Sequence, residues 1–231
     1  MASSRLHQLK IVDSIVGVEN GNILLSKIEI DYGNGIKKHS DFTLRNIVYD
    51  VSNYIEMVLN SDWSILNTIT IQDIQLLWGE YITEYRNNYS SHNYIETNAI
   101  LLDSRVGGIG YYWVDLNTHH SIEMIARMDN CGRCDYGNTL IELRESTEHS
   151  NKSHVVIVYN KSTGLIKQIK GIGDNLPTET YWDEIFNFYI NTSYLISGHN
   201  YTQKEGLDFK PEMFSNEKYE LVKSKIITNL L

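Results

Sequence analysis

The spacing of apolar positions changes several times along the chain, and each change predicts a different element. From Leu9 to Ile30 the β-branched runs Ile11-Val12, Ile15 to Val18 and Ile23 to Ile30 read as strands. Asn20-Gly21 is a pair that tolerates positive φ in a tight hairpin turn, and Asn34-Gly35 repeats that chemistry. The first 43 residues therefore predict a small antiparallel sheet. Between Leu44 and Leu59 the period becomes helical, through Leu44, Ile47, Val48, Val51, Tyr54, Ile55, Val58 and Leu59. Thr70 and Asp73 form a variant capping box for a second helix through Ile74, Leu77, Trp78, Tyr81, Ile82 and Tyr85.

Arg86 to Asn98 has no apolar period and reads as a loop. Tyr111 to Leu116, Thr139 to Leu143, His154 to Tyr159 and Leu165 to Ile169 read as strands, with a short helix over Asn117 to Met128 and a hairpin turn at Gly164. Pro177 starts a helix bearing Tyr181, Trp182, Ile185, Phe186 and Tyr189, and Glu217 to Leu230 makes the last one. The order is strands, helices, strands, helices. It predicts an α+β fold of small antiparallel or mixed sheets with segregated helices. Three segments suggest themselves: 1–110 with the hairpins and helical pair, 111–195 as the central module, and 196–231 as a closing loop and helix, all of which could also form one domain.

Composition narrows the function classes. Apolar residues at 42% and charged residues at 21% describe a chain able to bury a core. The net charge of −9 gives no electrostatic grip on nucleic acid, and Lys37-Lys38-His39 and the 167–170 run are too short to change that. No run is long and apolar enough to span a bilayer, and Met1 to Lys10 lacks the apolar centre of a signal peptide, so the expectation is a cytosolic protein without membrane contact.

Candidate chemistry is concentrated between Glu123 and Tyr189. Gly107-Gly108-Ile109-Gly110 leads into a strand and lacks the Lys-Ser/Thr pair of a phosphate loop. Cys131 and Cys134 form the one Cys-x-x-Cys. As zinc ligands they need two partners, and His119, His120, His149 and His154 stand at no finger spacing. As a redox pair they would open a helix, whereas a strand follows. Cys131 could also be a nucleophile beside His119, His120 or His154, its thiol activated by Arg127 or Arg133, or a small buried residue in a turn that Gly132 makes possible. The neighbours His119 and His120 are expected on different faces. Glu142, Arg144 and Glu145 alternate around Leu143, and Glu142 and Arg144 are expected on one strand face as a solvated row. The turn from Gln168 to Asn175 could present amides to an anion with Lys170 assisting, or simply join strand to helix.

Four blocks in order carry a resemblance. They are Ala126-Arg-Met-Asp-Asn-Cys-Gly-Arg133, Asn138-Thr-Leu-Ile-Glu-Leu-Arg144, His154-Val-Val-Ile-Val158 and Gln168-Ile-Lys-Gly-Ile-Gly-Asp-Asn175, followed by Pro177 and an aromatic helix. This roughly 65-residue stretch resembles the PcfJ-like modules of mobile elements and phages, including crAss-like phages. The resemblance implies a phage protein of the host cytoplasm or virion. It brings no established reaction with it, and Asp129-Asn130 stands where some relatives have Gly-His, which removes an imidazole from the site.

The leading expectation is a non-catalytic, virion-associated structural or assembly protein. It would need no cofactor and no metal, and its partners would be other phage subunits or copies of itself, with aromatic helices around Trp78 and Trp182 and the N-terminal hairpins as contacts. The alternative is a nucleic-acid-processing or cysteine-dependent enzyme with Cys131 reactive and Arg127, Arg144, Gln168, Lys170 and Asn175 holding an anionic ligand.

Overall fold

The computed structural model describes residues 4–33, 35, 40–89, 98–130, 132–134, 137–148, 150–197 and 209–227. The fold is α+β, and the chain divides into two compact units, 1–85 and 86–231. Asn34 and the Lys37-Lys38-His39 run lie outside the described residues.

The first unit is helical, which corrects the expected N-terminal hairpins of strands. Helix α1 spans Arg5–Tyr32 and is broken at Gly17, whose φ of 78° and ψ of 163° lie outside helical space. A straight helix would separate Arg5 from Glu29 by about 36 Å. Here the two side chains form an ion pair, so α1 folds back on itself at Gly17 as a helical hairpin. Gly21 sits where the halves meet, because a Cβ there would lie 3.4 Å from Asp13 Cα. The spacing Ile11, Val12, Ile15, Val16 and then Leu24, Leu25, Ile28 is that of one buried helical face. That period outweighs the small helix penalty of β-branched residues.

Helix α2 (Asp41–Asn53) continues into a π-helical turn at Tyr54–Val58, and α3 covers Ile71–Tyr89. Leu44, Ile47, Val48, Val51 and Ile55 share one core with Ile71 and Ile74 and with the buried face of α1. The N-cap half of the capping box forms, with Asp73 N donating to Thr70 Oγ1 at 3.1 Å, and Thr70 Oγ1 donates in turn to Asp73 Oδ2 at 2.6 Å. The end of α1 adds a second cap, since Ile71 N donates to Asp31 Oδ2 at 2.7 Å. A polar relay joins the three helices, from Tyr32 through Gln75 to Asp50.

The second unit is built on one seven-stranded sheet in sequence order. Strands β1 (Ala99–Asp103), β2 (Gly110–Asp115), β3 (Asn138–Ser146), β4 (Asn151–Asn160) and β5 (Leu165–Lys170) form an antiparallel meander. Strands β6 (Leu195–Ser197) and β7 (Ile226–Ile227) then add in parallel. β1 pairs with β2, so residues read as preceding the central module belong to its sheet. β7 lies inside the span expected for the last helix, which is confined to α6 (Asn216–Val222). Helix α5 (Trp182–Asn191) starts five residues after Pro177, behind a 3₁₀ turn at Glu179–Tyr181, and Trp182 Nε1 donates to Pro177 O at 3.0 Å.

Both faces of the sheet are covered, in keeping with the unbroken apolar run Val155 to Tyr159 on β4. One face packs Trp113, Ile141, Leu143, Ile157 and Ile169 against Ile185, Phe188 and Tyr189 of α5. The other packs Tyr112, Val114, Leu140, Val156 and Val158 against Met124 and Met128 of helix α4 (Ile122–Met128). Trp78 is 5% exposed and stacks on Tyr81, and Trp182 meets Phe209 edge-on at 5.4 Å. Trp78 is therefore a core residue rather than an exposed subunit contact.

Candidate functional site

On β3 the alternation of side chains sends Leu140, Glu142 and Arg144 to the α4 side of the sheet. Helix α4 starts where Ser121 Oγ accepts from Met124 N, and it ends at Asp129 with left-handed φ and ψ. Glu123 in its first turn accepts from Arg144 Nη2, while Arg144 Nε donates to Glu142 Oε2 at 2.7 Å. Arg144 and Glu142 are fully buried and Glu123 is 17% exposed. This corrects the expected solvated row. A strand reading sees which side chains share a face, and here α4 covers that face. Charges taken from water need close partners, and the two carboxylates supply them to the guanidinium.

The chain after α4 turns back along its own entry. Ser121 N donates to Gly132 O at 2.7 Å, and Cys134 N donates to His119 O at 2.9 Å. Gly132 has φ of 61°, and a Cβ there would come within 2.6 Å of Ser121 O and 2.2 Å of Ile125 Cγ1. Only glycine fits this close approach. Cys131 and His149 lie outside the described residues. Cys134 is half-buried and packs against the α4-side core. The rings of His119 and His120 lie side by side, 4.2 Å apart, because the backbone there is neither helix nor strand. Among the described residues no three His, Cys, Asp or Glu side chains are grouped to hold a metal ion.

The remaining ligand candidates lie elsewhere. Arg127 is half-buried on α4. Lys170 is opposite Val156, itself opposite Glu142, and Gln168 is opposite Val158. They occupy β5, about 10 Å from β3 across the sheet. Lys170 Nζ is 3.7 Å from Asp174. In the turn that follows, Gly171 N donates to Asn175 O at 2.6 Å, while Asn175 N and Nδ2 both donate to Ile172 O. The turn thus closes the Gly171 and Asn175 amides on itself. The structure brings Arg144 to Glu142 and Glu123, and leaves Gln168, Lys170 and Asn175 one strand or more away.

A second cluster, on the α5 face, escaped the sequence reading. A β-bulge pairs Arg144 with Ser153 and Leu143 with Val155, leaving His154 as the extra residue. The His154 ring stacks on Tyr181 at 4.4 Å and meets Tyr111 edge-on at 6.2 Å, and its Nε2 is 3.0 Å from Glu145 Oε2. Burial lowers the imidazole pKa from its ordinary value, and Glu145 opposes that. Burial raises the Tyr111 hydroxyl pKa, helped by the charges of Glu145 and Glu184. Glu184 in the first turn of α5 has its own carboxyl pKa raised by burial and by Asp183. No sequence signal marks a bulge just before the run Val155 to Val158, so His154 could be read only as a strand residue. The chain matches no known protein family, no curated protein and no solved structure.

Proposed function

We propose that this chain is a phage-encoded, virion-associated structural or assembly protein in which the 122–170 region is scaffold rather than reaction centre. One observation carries the reading: Arg144, the arginine of the Leu-Arg block, is fully buried and bonded to Glu142 and Glu123. A guanidinium spent in this way ties α4 to the sheet and is withheld from any anionic substrate. The Gly171 and Asn175 amides, bonded within their own turn, support the same assignment. Its partners are other phage subunits or further copies of itself, first in the host cytoplasm and then in the particle. No helix among the described residues is long and apolar enough to cross a membrane, and the charge of −9 gives nucleic acid no general hold.

Sedimentation across a wide concentration range, with mass spectrometry of purified virions, tests the proposal. Reversible self-association and presence in particles are expected. A chain that stays monomeric and is absent from virions overturns it. So does a Cys131 thiol whose iodoacetamide labelling titrates well below the ordinary ~8.5, which would point to the thiol enzyme instead.

A further inference from the structure

The entry of α5 rests on one ring of the sheet. Tyr181 closes the 3₁₀ turn at Glu179–Tyr181 and directly precedes α5, and its ring lies on that of His154, 4.4 Å away with 21° between the planes. Tyr111 of β2 meets both rings edge-on, 6.2 Å from His154 and 6.0 Å from Tyr181. His154 reaches this cluster as the extra residue of the β4 bulge. Its imidazole is only 9% exposed, and Nε2 lies 3.0 Å from Glu145 Oε2. An ionised carboxylate only accepts, so Nε2 carries the proton of the neutral ring and a second proton goes to Nδ1.

We propose that His154 is a pH-operated latch on the entry of α5: a second proton on its ring drives the imidazolium out from between Tyr111 and Tyr181 and frees the 3₁₀ turn from the sheet. A charge held among aromatic rings is cut off from water, and a ring that swings outward regains it. Glu145 is 31% exposed, so the swung ring keeps that partner at the surface. Charged and titratable groups face the imidazole from several elements. Glu145 on β3 favours the imidazolium, and Glu142, already bonded to Arg144, favours it less, while Lys152 on β4 disfavours it. Tyr111 and Tyr181 stay neutral because burial raises both hydroxyl pKa values, and Glu184 on α5 acts on Tyr111. Burial is the largest influence and holds the imidazole pKa below its ordinary value. The open form therefore takes up the proton first, and opening grows as pH falls from 6.5 through the folded value. Ile185, Phe188 and Tyr189 are fully buried and hold the rest of α5, which confines the release to the turn. The latch does not depend on the assembly reading.

NMR of the full chain tests this. The ring signals of His154, assigned by their loss in His154→Gln, give its tautomer and midpoint, and amide exchange corrected for the intrinsic rate follows α5. The neutral ring should carry its proton on Nε2, and its midpoint should lie below 6.5, the sign that burial outweighs the attraction of the Tyr181 face for a cation. The amides of Tyr181 and Trp182, bonded to Thr178 O and Glu179 O, should lose protection about tenfold between about pH 7.5 and about pH 5, while Ile185 and Phe188 keep theirs. That loss should vanish in His154→Gln. Should this variant fold poorly, Tyr181→Leu tests the same joint, because uncovering the ring brings the His154 midpoint up towards about 6.5. Glu179→Gln, exposed in the same turn, should leave the midpoint in place. A midpoint at or above 6.5, a loss of protection shared equally by α5 and β3 to β5, a loss that persists in folded His154→Gln, or a midpoint that Tyr181→Leu leaves unchanged overturns the proposal.

Discussion

Arg144 Nε donates to Glu142 Oε2 at 2.7 Å between two side chains that are both fully buried on the α4 side of β3. Removing Arg144 leaves Glu142 without its cation in a dry core. Arg144→Met should therefore cost about 3–5 kcal/mol, whereas Glu142→Leu combined with Arg144→Met should recover much of that loss. Urea midpoints of the three chains check the difference. Equal losses in the single and double variants would show that Glu142 left without Arg144 carries no penalty.

Gly17 turns α1 back on itself with φ of 78°. In an ordinary helix interior Gly→Ala gains about 1 kcal/mol. Here Gly17→Ala should lose about 1–3 kcal/mol, because alanine resists that conformation. Thermal unfolding gives the sign directly. A stabilised variant would mean that α1 runs straight.

His154 sets a pH dependence. Its folded pKa lies below the ordinary 6.5 because burial disfavours the imidazolium. As pH falls the unfolded chain takes up this proton first, so the stability linked to His154 is whole above 6.5 and declines as pH drops through the lower folded value. Glu184 works oppositely: its pKa is raised from 4.5, so stability is lost as pH climbs from 4.5 through the folded value. The comparison is therefore His154→Gln against the parent chain. Denaturant midpoints at about pH 7.5 and about pH 5 should converge in the variant. An unchanged difference would remove His154 as its source.

Lys225 donates to Tyr189 O and Thr192 O at the C-terminal end of α5, where carbonyls lack helical partners. Lys225→Met should cost about 1–3 kcal/mol and loosen that end first. Faster hydrogen exchange at the Thr192 amide, with α4 amides unaffected, is the expected pattern. Protection retained at Thr192 would show that the lysine is dispensable.

Elements whose apolar period matched one geometry were legible from the chain. The Leu44 to Leu59 helix, the capping box at Thr70 and Asp73 and the β3 to β5 meander all depend on residues a few positions apart. The first 32 residues misled because β-branched runs favour strands while their four-residue spacing favours a helix, and a core formed with Leu44, Val48 and Ile71 decided between them. Strand β1 exists through its pairing with β2 across the Gly107-Gly108 turn, whose glycines have φ of 62° and 84°.

Sequence alone therefore determined the α+β class and the strands of the central meander, where local chemistry is enough. Tertiary structure decided what the polar residues do. Arg144 is identical in the chain whether it faces water or a protein core. Helix α4, arriving with Glu123, turned a strand's solvent face into a buried ion network. In the same way α5 and a one-residue bulge placed His154, Tyr111, Tyr181 and Glu145 together, although 70 residues separate the first tyrosine from the last. Burial and charge pairing are set by what packs above a residue, and that is written in distant segments rather than in its neighbours.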